Sequence, residues 1–189
     1  MSSGPGRKIL LFGPLPPPYH GQSVAFSIVV NSFDPSEILL VNTEKFTFRI
    51  FNTIYAIFRT FYHFTFYKFE TIYFTSIRSR LGFIKDSVLL ILGRWTGKRI
   101  INHLHGANFH SFFQNSGLMK PLIRYCYAKV DTSIVLLPGM ENEYKDFPDM
   151  KIEVVGNCYE KQFDQADASG FQKKPQILFL SNIMKCKGI

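Results

Sequence analysis

Two short segments carry the side chains best suited to chemistry. In NHLHGANFHSFF (102–113), His103 and His105 stand two positions apart. Along an extended segment that spacing puts both imidazoles on one face, with His105 at the strand's end beside Gly106. An imidazole so placed can donate to a hydroxyl, steady a developing charge, or act as acid or base. The plainer reading is a structural histidine. In GPLPPPYHGQS (13–23), four prolines stiffen a loop, and Gly21 and Ser23 follow them. Glycine lets a ligand approach the backbone closely, and a serine opening a helix leaves N–H groups that can meet a phosphate. The plainer reading is a strand-to-helix turn. A metal site needs a third and fourth ligand, and only His110 is near in sequence, so no metal is expected. Cys126, Cys158 and Cys186 are scattered and without ligand spacing, which fits a reducing compartment. No G-x-G-x-x-G, P-loop, nucleophile elbow or paired-carboxylate motif is present, and ENEYKDF (141–147) reads as a solvated helix face.

The elements that must hold these segments alternate. KILLFG (8–13), EILLV (37–41), TIYFTS (71–76), RIINHLHG (99–106), TSIVLL (132–137), KIEVVG (151–156) and QILFLS (176–181) read as strands. Helical stretches fit between them at Ser23–Asn31, Phe46–Tyr67, Leu81–Arg94, Pro121–Ala128 and Gly139–Lys145. Apolar strands separated by helices predict a doubly wound, Rossmann-like parallel α/β sheet covered on both faces. Ligands of such sheets lie beyond the strands' carboxyl ends, where both the proline loop and HLHG fall. Residues 1–157 form the expected domain. The polar stretch 158–175 reads as a linker, and 176–189 reads as the start of a second domain.

The segment FTFRIFNTIYAIFRTFYHFTFYKF (46–69) is the most unusual. On a helix, Arg49, Asn52, Thr53, Thr60 and His63 make a thin polar stripe and leave a broad aromatic face. The ordinary expectation is that this face packs on the sheet. A face so wide, flanked by Arg59 and Lys68, also suits an anionic membrane surface. The charge favours an anionic partner: of the net +8, residues 1–133 carry fifteen Lys and Arg against six Asp and Glu, and the remainder seven against eight. No nucleic-acid signature accompanies it, so none is expected as a partner. No uncharged run reaches the roughly 18 residues of a spanning helix. The apolar run after MSSGPGRK is too short for a signal peptide. The expected location is cytoplasmic, peripheral on the inner membrane face when docked.

Five motifs in order carry a resemblance across nearly the whole chain: GPLPPPYHGQS after the first strand, HLHGANF, IVLLPGMENEYKDF, VVGNCYE and ILFLSNIMKCKGI. Together they resemble the retaining GT-B glycosyltransferases of the family 4-like group. The resemblance implies two Rossmann-like domains, the acceptor half being the one present here, with nearly all of the nucleotide pocket beyond Ile189. It implies a nucleotide-sugar donor and a glycan or glycolipid acceptor as substrates, with no cofactor or metal. It also implies that Gly21, Asn157 and Lys187 bind the donor, Lys187 holding the diphosphate, and that His105 contacts the transferring sugar. Three positions depart from the pattern: His20 and Cys158 where glycine is usual, and Asn182 where an arginine normally partners the lysine. Two rival readings remain, a non-catalytic acceptor-binding or membrane-docking subunit of a split transferase, and a Rossmann-like small-molecule binder.

Overall fold

A computed structural model describes residues 8–156. Six strands form one all-parallel sheet: β1 (Ile9–Gly13), β2 (Ile38–Asn42), β3 (Thr71–Thr75), β4 (Arg99–Leu104), β5 (Thr132–Val135) and β6 (Lys151–Val154). Their order is β2-β1-β3-β4-β5-β6. Five helices connect them: α1 (Gly21–Asn31), α2 (Arg49–Phe66), α3 (Arg80–Trp95), α4 (Phe109–Gln114) and α5 (Lys120–Tyr127). The doubly wound Rossmann-like class expected from the strand pattern is the observed one.

Alternation along each strand sorts its side chains between two apolar layers. Leu10 and Phe12 join Ile72, Phe74, Ile100 and Leu104 under α2, α3 and α5. Leu11 and Tyr73 turn to the other side, where Phe26 of α1 meets them. The register aligns the carboxyl ends, with Phe12 opposite Val41 and Phe74, and Thr75 opposite His103. Because the chain leaves β1 toward β2 on one side while β3 lies on the other, the strand order reverses at β1. A crevice opens at such a point, and three loops border it here.

Three local expectations are corrected. Helix α1 opens at Gly21, two residues before Ser23, because His20 is its N-cap: His20 Nδ1 accepts from Ser23 N–H at 3.2 Å, and Ser23 Oγ accepts from His20 N–H at 3.1 Å. A histidine in place of the usual Ser or Thr hid that reciprocal cap. The segment after Gly139 is a 3-10 turn, Met140–Tyr144, not a full helix. Its charges are not simply solvated: Glu143 accepts the N–H groups of Asn108 at 3.0 Å and His110 at 2.8 Å, and Asp146 pairs with His110 Nδ1 at 2.8 Å. Glu143 therefore holds the N-terminal N–H groups of α4 and Asp146 anchors its His110 and Gln114 side chains, on a helix too short to show periodicity in the sequence.

The larger correction concerns α2, which is seated the opposite way round from an ordinary amphipathic helix. Asn52, Thr53, Ala56, Thr60 and His63 are its buried residues. Phe51, Ile54, Phe58, Phe61 and Phe66 are exposed, Phe58 by 71%. Small side chains at 53, 56 and 60 let the helix lie close to β2 and α3. The inward hydroxyls are satisfied without partners in the sheet: Thr53 donates to Arg49 O at 3.1 Å, and Thr60 to Ala56 O at 2.7 Å. Asn52 both donates to and accepts from the Phe46 backbone, each at 2.7 Å, which fixes how the chain enters the helix. Of the described residues, Arg49 alone of the polar stripe is exposed.

This seating makes a sharp prediction for urea unfolding. Phe58→Ser should change stability by no more than about 0.5 kcal/mol, as for other surface substitutions. Ala56→Leu, on the inward face, should cost about 1–3 kcal/mol by overpacking. A helix seated with its aromatics inward would reverse that order.

Candidate functional site

The crevice at the reversal point is a cleft of about 260 Å³, a little below the roughly 300–1,000 Å³ of small-molecule sites. The β2–α2 loop supplies Thr43 and Glu44, the β3–α3 loop supplies Arg78 and Ser79, and α3 supplies Lys85 from its second turn. Ser79 caps α3 by accepting from Gly82 N–H at 3.2 Å. A Cβ at Gly82 would stand 2.2 Å from Ile77 Cγ2, so the tight entry into α3 requires glycine. Buried Asp86 accepts Ile77 N–H at 3.1 Å and steadies the same loop. Burial pushes its carboxyl up to about 6, against the pull of Lys85 and the Ile77 N–H.

The loops are also tied to one another. His20 Nδ1 is occupied as a cap acceptor, so Nε2 carries the proton of the neutral ring and donates to Glu44 at 2.8 Å, linking the β1–α1 and β2–α2 loops. Arg78 donates to Ala107 O, linking the β3–α3 and β4–α4 loops. Gly106 lies beneath that guanidinium with φ +98, and a Cβ there would approach Arg78 Nη1 to 3.0 Å. Glycine in HLHG is thus required by the backbone angle, while the arginine's mobile end can give way to a Cβ.

His103 and His105 share a face, with rings 4.0 Å apart. The Tyr73 hydroxyl meets His103 Nδ1 at 2.5 Å. Burial, and then its neighbour His105, push His103 down to about 3. Burial, then Arg78 and His20, push His105 down to about 4. Both rings are therefore neutral at pH 7. His105 Nε2 is buried with no hydrogen-bond partner. A ring that protonates near pH 4 is a weak base at neutrality, and the chemistry open to it is a hydrogen bond to a ligand.

Of the donor-binding candidates, Gly21 lies on the first turn of α1, exposed, and a Cβ there would meet nothing within 4 Å. The described fold does not itself require glycine at that position. Asn157 and Lys187 lie outside the described residues, as do Cys158 and Asn182. Among the described residues no group of three or more His, Cys, Asp or Glu side chains can hold a metal ion.

The sequence reading passed over the cleft residues Lys85, Arg78, Gln22, Thr43 and Glu44. Lys85 did leave a signal: it lies three residues after Gly82 and four before Leu89, a charge on the apolar stripe of an amphipathic helix. The others are ordinary loop polars that only the fold assembles. No protein family, curated protein or solved structure matches the chain, so its functional reading rests on these residues.

The paired histidines set a pH dependence. Unfolded, each takes up a proton near pH 6.5; folded, each does so only near 3 or 4. Their contribution is therefore complete above about pH 6.5 and is lost as pH falls toward 4. Asp86 works the other way, since its cost to the fold eases as it protonates below about 6. Two larger displacements outweigh one, so the urea midpoint should fall between pH 6.5 and 4. His103→Gln should flatten that fall.

Proposed function

We propose that the chain is the acceptor-binding half of a glycosyltransferase that moves a sugar from a nucleotide-sugar donor to a glycan or glycolipid. The observation that carries this reading is the neutral His105 ring just past the carboxyl end of β4, its Nε2 buried without a hydrogen-bond partner. The segments that resemble the family's glycine loop and H-x-H-G segment both follow carboxyl ends of parallel strands, β1 and β4. In that role His105 donates or accepts a hydrogen bond at a hydroxyl of the transferring sugar, and Gly21 gives the donor's phosphates room against the backbone. Lys187 would supply the cation that offsets charge growing on the departing nucleoside diphosphate. Retention of anomeric configuration follows from the resemblance alone.

The outward aromatic face of α2 supports a second element of the reading, docking on an anionic bilayer. Phe51, Ile54, Phe58 and Phe66 are exposed along it. Phe46, Phe51, Ile54, Tyr55 and Phe58 line a groove on the same side. Exposed Lys45, Arg49, Lys68 and Arg80 lie near the ends of α2 or at the start of the neighbouring helix. Aromatics that insert and cations that meet headgroups are what an interfacial helix requires. A basic residue near such a surface adds about 1 kcal/mol. No helix among the described residues is long and apolar enough to cross a membrane, so contact through α2 would be lateral. This same feature favours the rival of a membrane-docking subunit without activity of its own.

Turnover separates the two. The full-length protein should release a nucleoside diphosphate from one of a panel of nucleotide sugars when given a lipid-linked glycan acceptor, and His105→Ala should lower kcat by about 10²-fold with folding intact. Gly21→Ala should keep stability within about 0.5 kcal/mol while slowing turnover. Release from no donor would leave the docking subunit as the better account.

Docking is read by sedimentation with vesicles. Binding should appear with phosphatidylglycerol, weaken at high salt, vanish with phosphatidylcholine, and drop in Phe51→Ser/Phe58→Ser at unchanged stability. A concentration-dependent dimer with no vesicle binding would assign the α2 face to a second copy of the chain.

A further inference from the structure

The cleft at the reversal point contains a cation that the fold leaves unmatched. Lys85 is 4% exposed, and its Nζ has no hydrogen-bond partner. The Phe12 ring centroid lies 5.4 Å away. Burial lowers the Lys85 pKa, against the pull of the two acidic groups that act on it, Asp86 and Glu44. Asp86 is directed to the Ile77 N–H and Glu44 to His20, and among the described residues neither forms an ion pair with Lys85 within 4.0 Å. An ammonium held this way is a poor choice for stability alone, because burial without a partner is costly and methionine would fill the space.

Two further polar groups in the same cleft share that condition. Gln22 Nε2, on the first turn of α1, and Thr43 Oγ1, just past β2, are buried without partners. An amide N–H₂ and an ammonium can only donate, and the hydroxyl can donate as well. Arg49 and Arg78 line the same cleft, which is bounded by the N-terminal turns of α3, a helix of 16 residues whose dipole adds positive potential. The one carboxylate facing the space, Glu44, is bonded to His20 at 2.8 Å. Three cations and two neutral donors thus converge, from the first turns of α1 and α2, the second turn of α3 and the loops after β2 and β3, on a space of about 260 Å³.

We propose that this cleft binds a phosphoryl group, as a phosphomonoester or diphosphate, with Lys85 as its central ligand. A phosphoryl group has enough acceptor oxygens for Lys85, Gln22, Thr43 and an arginine at once, and charge-assisted bonds to it are the strong kind. The proposal deepens the reading above by assigning the acceptor a phosphorylated head, carried on a lipid or free in solution. Its test reads binding and requires no sugar transfer.

Calorimetry on the full-length protein supplies that test, with pyrophosphate as the free ligand and dihexanoyl phosphatidate, below its micelle concentration, as the lipid-borne one. Dihexanoyl phosphatidylcholine is the control. Pyrophosphate and phosphatidate should each bind at one site, and the control should not. Lys85→Met should weaken both by about tenfold or more, with a melting temperature at or above the parent's. Gln22→Leu should weaken both by a few-fold. Tighter binding of phosphatidate than of pyrophosphate assigns the phosphate to a lipid; equal or weaker binding assigns it to a soluble ligand. Failure of the parent protein to bind either ligand overturns the proposal, as does undiminished binding by Lys85→Met. Should Lys85→Met fail to fold, unchanged affinity in Gln22→Leu overturns it instead.

Discussion

A parallel strand with parallel neighbours on both sides sends its outgoing chain in one direction only, so the loops above it must separate. In this protein that strand is β1, and the separation opens between the proline loop and the loop that follows β3. Register then does the rest. Phe12, Val41 and Phe74 lie level across the sheet, so the residues after them emerge at one height. The ties on either side of the opening, His20 to Glu44 and Arg78 to Ala107, depend on that level edge. A one-residue slip of β3 would move Arg78 off Gly106 and exchange the faces of Tyr73 and Phe74.

The same constraint accounts for the odd seating of α2. The helix has to cross from β2 at one edge, over β1, to β3. A helix with phenylalanines inward would stand further from the sheet, whereas threonine and alanine let it settle, with the hydroxyls bonded to the helix's own carbonyls. The aromatic side chains are then left outside, where water is a poor solvent for them. Such a large apolar surface on a monomer ordinarily marks a contact. One helix thereby borders the polar cleft through Arg49, Asn52 and Thr53 and shows its apolar side to the exterior. An amphiphile with a charged head and a greasy tail has the matching distribution.

What the sequence made legible followed from short apolar runs alternating with longer helical stretches. All six strands among the described residues were readable because runs such as KILLFG and TIYFTS have no competing helical pattern. His103 and His105 were readable as one-faced because that follows from strand geometry alone. The orientation of α2 was not, since amphipathicity states that a helix has two faces and not which one turns inward. Size complementarity to the sheet decided it, and that is a property of the fold. Helix α4 was missed because the carboxylates that hold its first turn, Glu143 at its N–H groups and Asp146 at His110, come from more than thirty residues away. The cleft was missed for the same reason: Gln22, Thr43 and Lys85 are far apart along the chain, and apart from the charge of Lys85 on an apolar helix stripe nothing local announces them.

The placement of β1 at the reversal point also governs the order in which the molecule can be made. Ile9 pairs with Ile38 on one side and with Thr71 on the other. The first strand leaves the ribosome well before its second neighbour exists, by about three to twelve seconds at roughly 5–20 residues per second. Throughout that interval only a two-stranded ribbon and its helix can form, and α2 follows with its phenylalanines in the open. Those side chains are not waiting for a core, because the finished fold leaves them outside too. The outer face of the helix is therefore the same from before the sheet closes until after it, with no rearrangement of the helix in between.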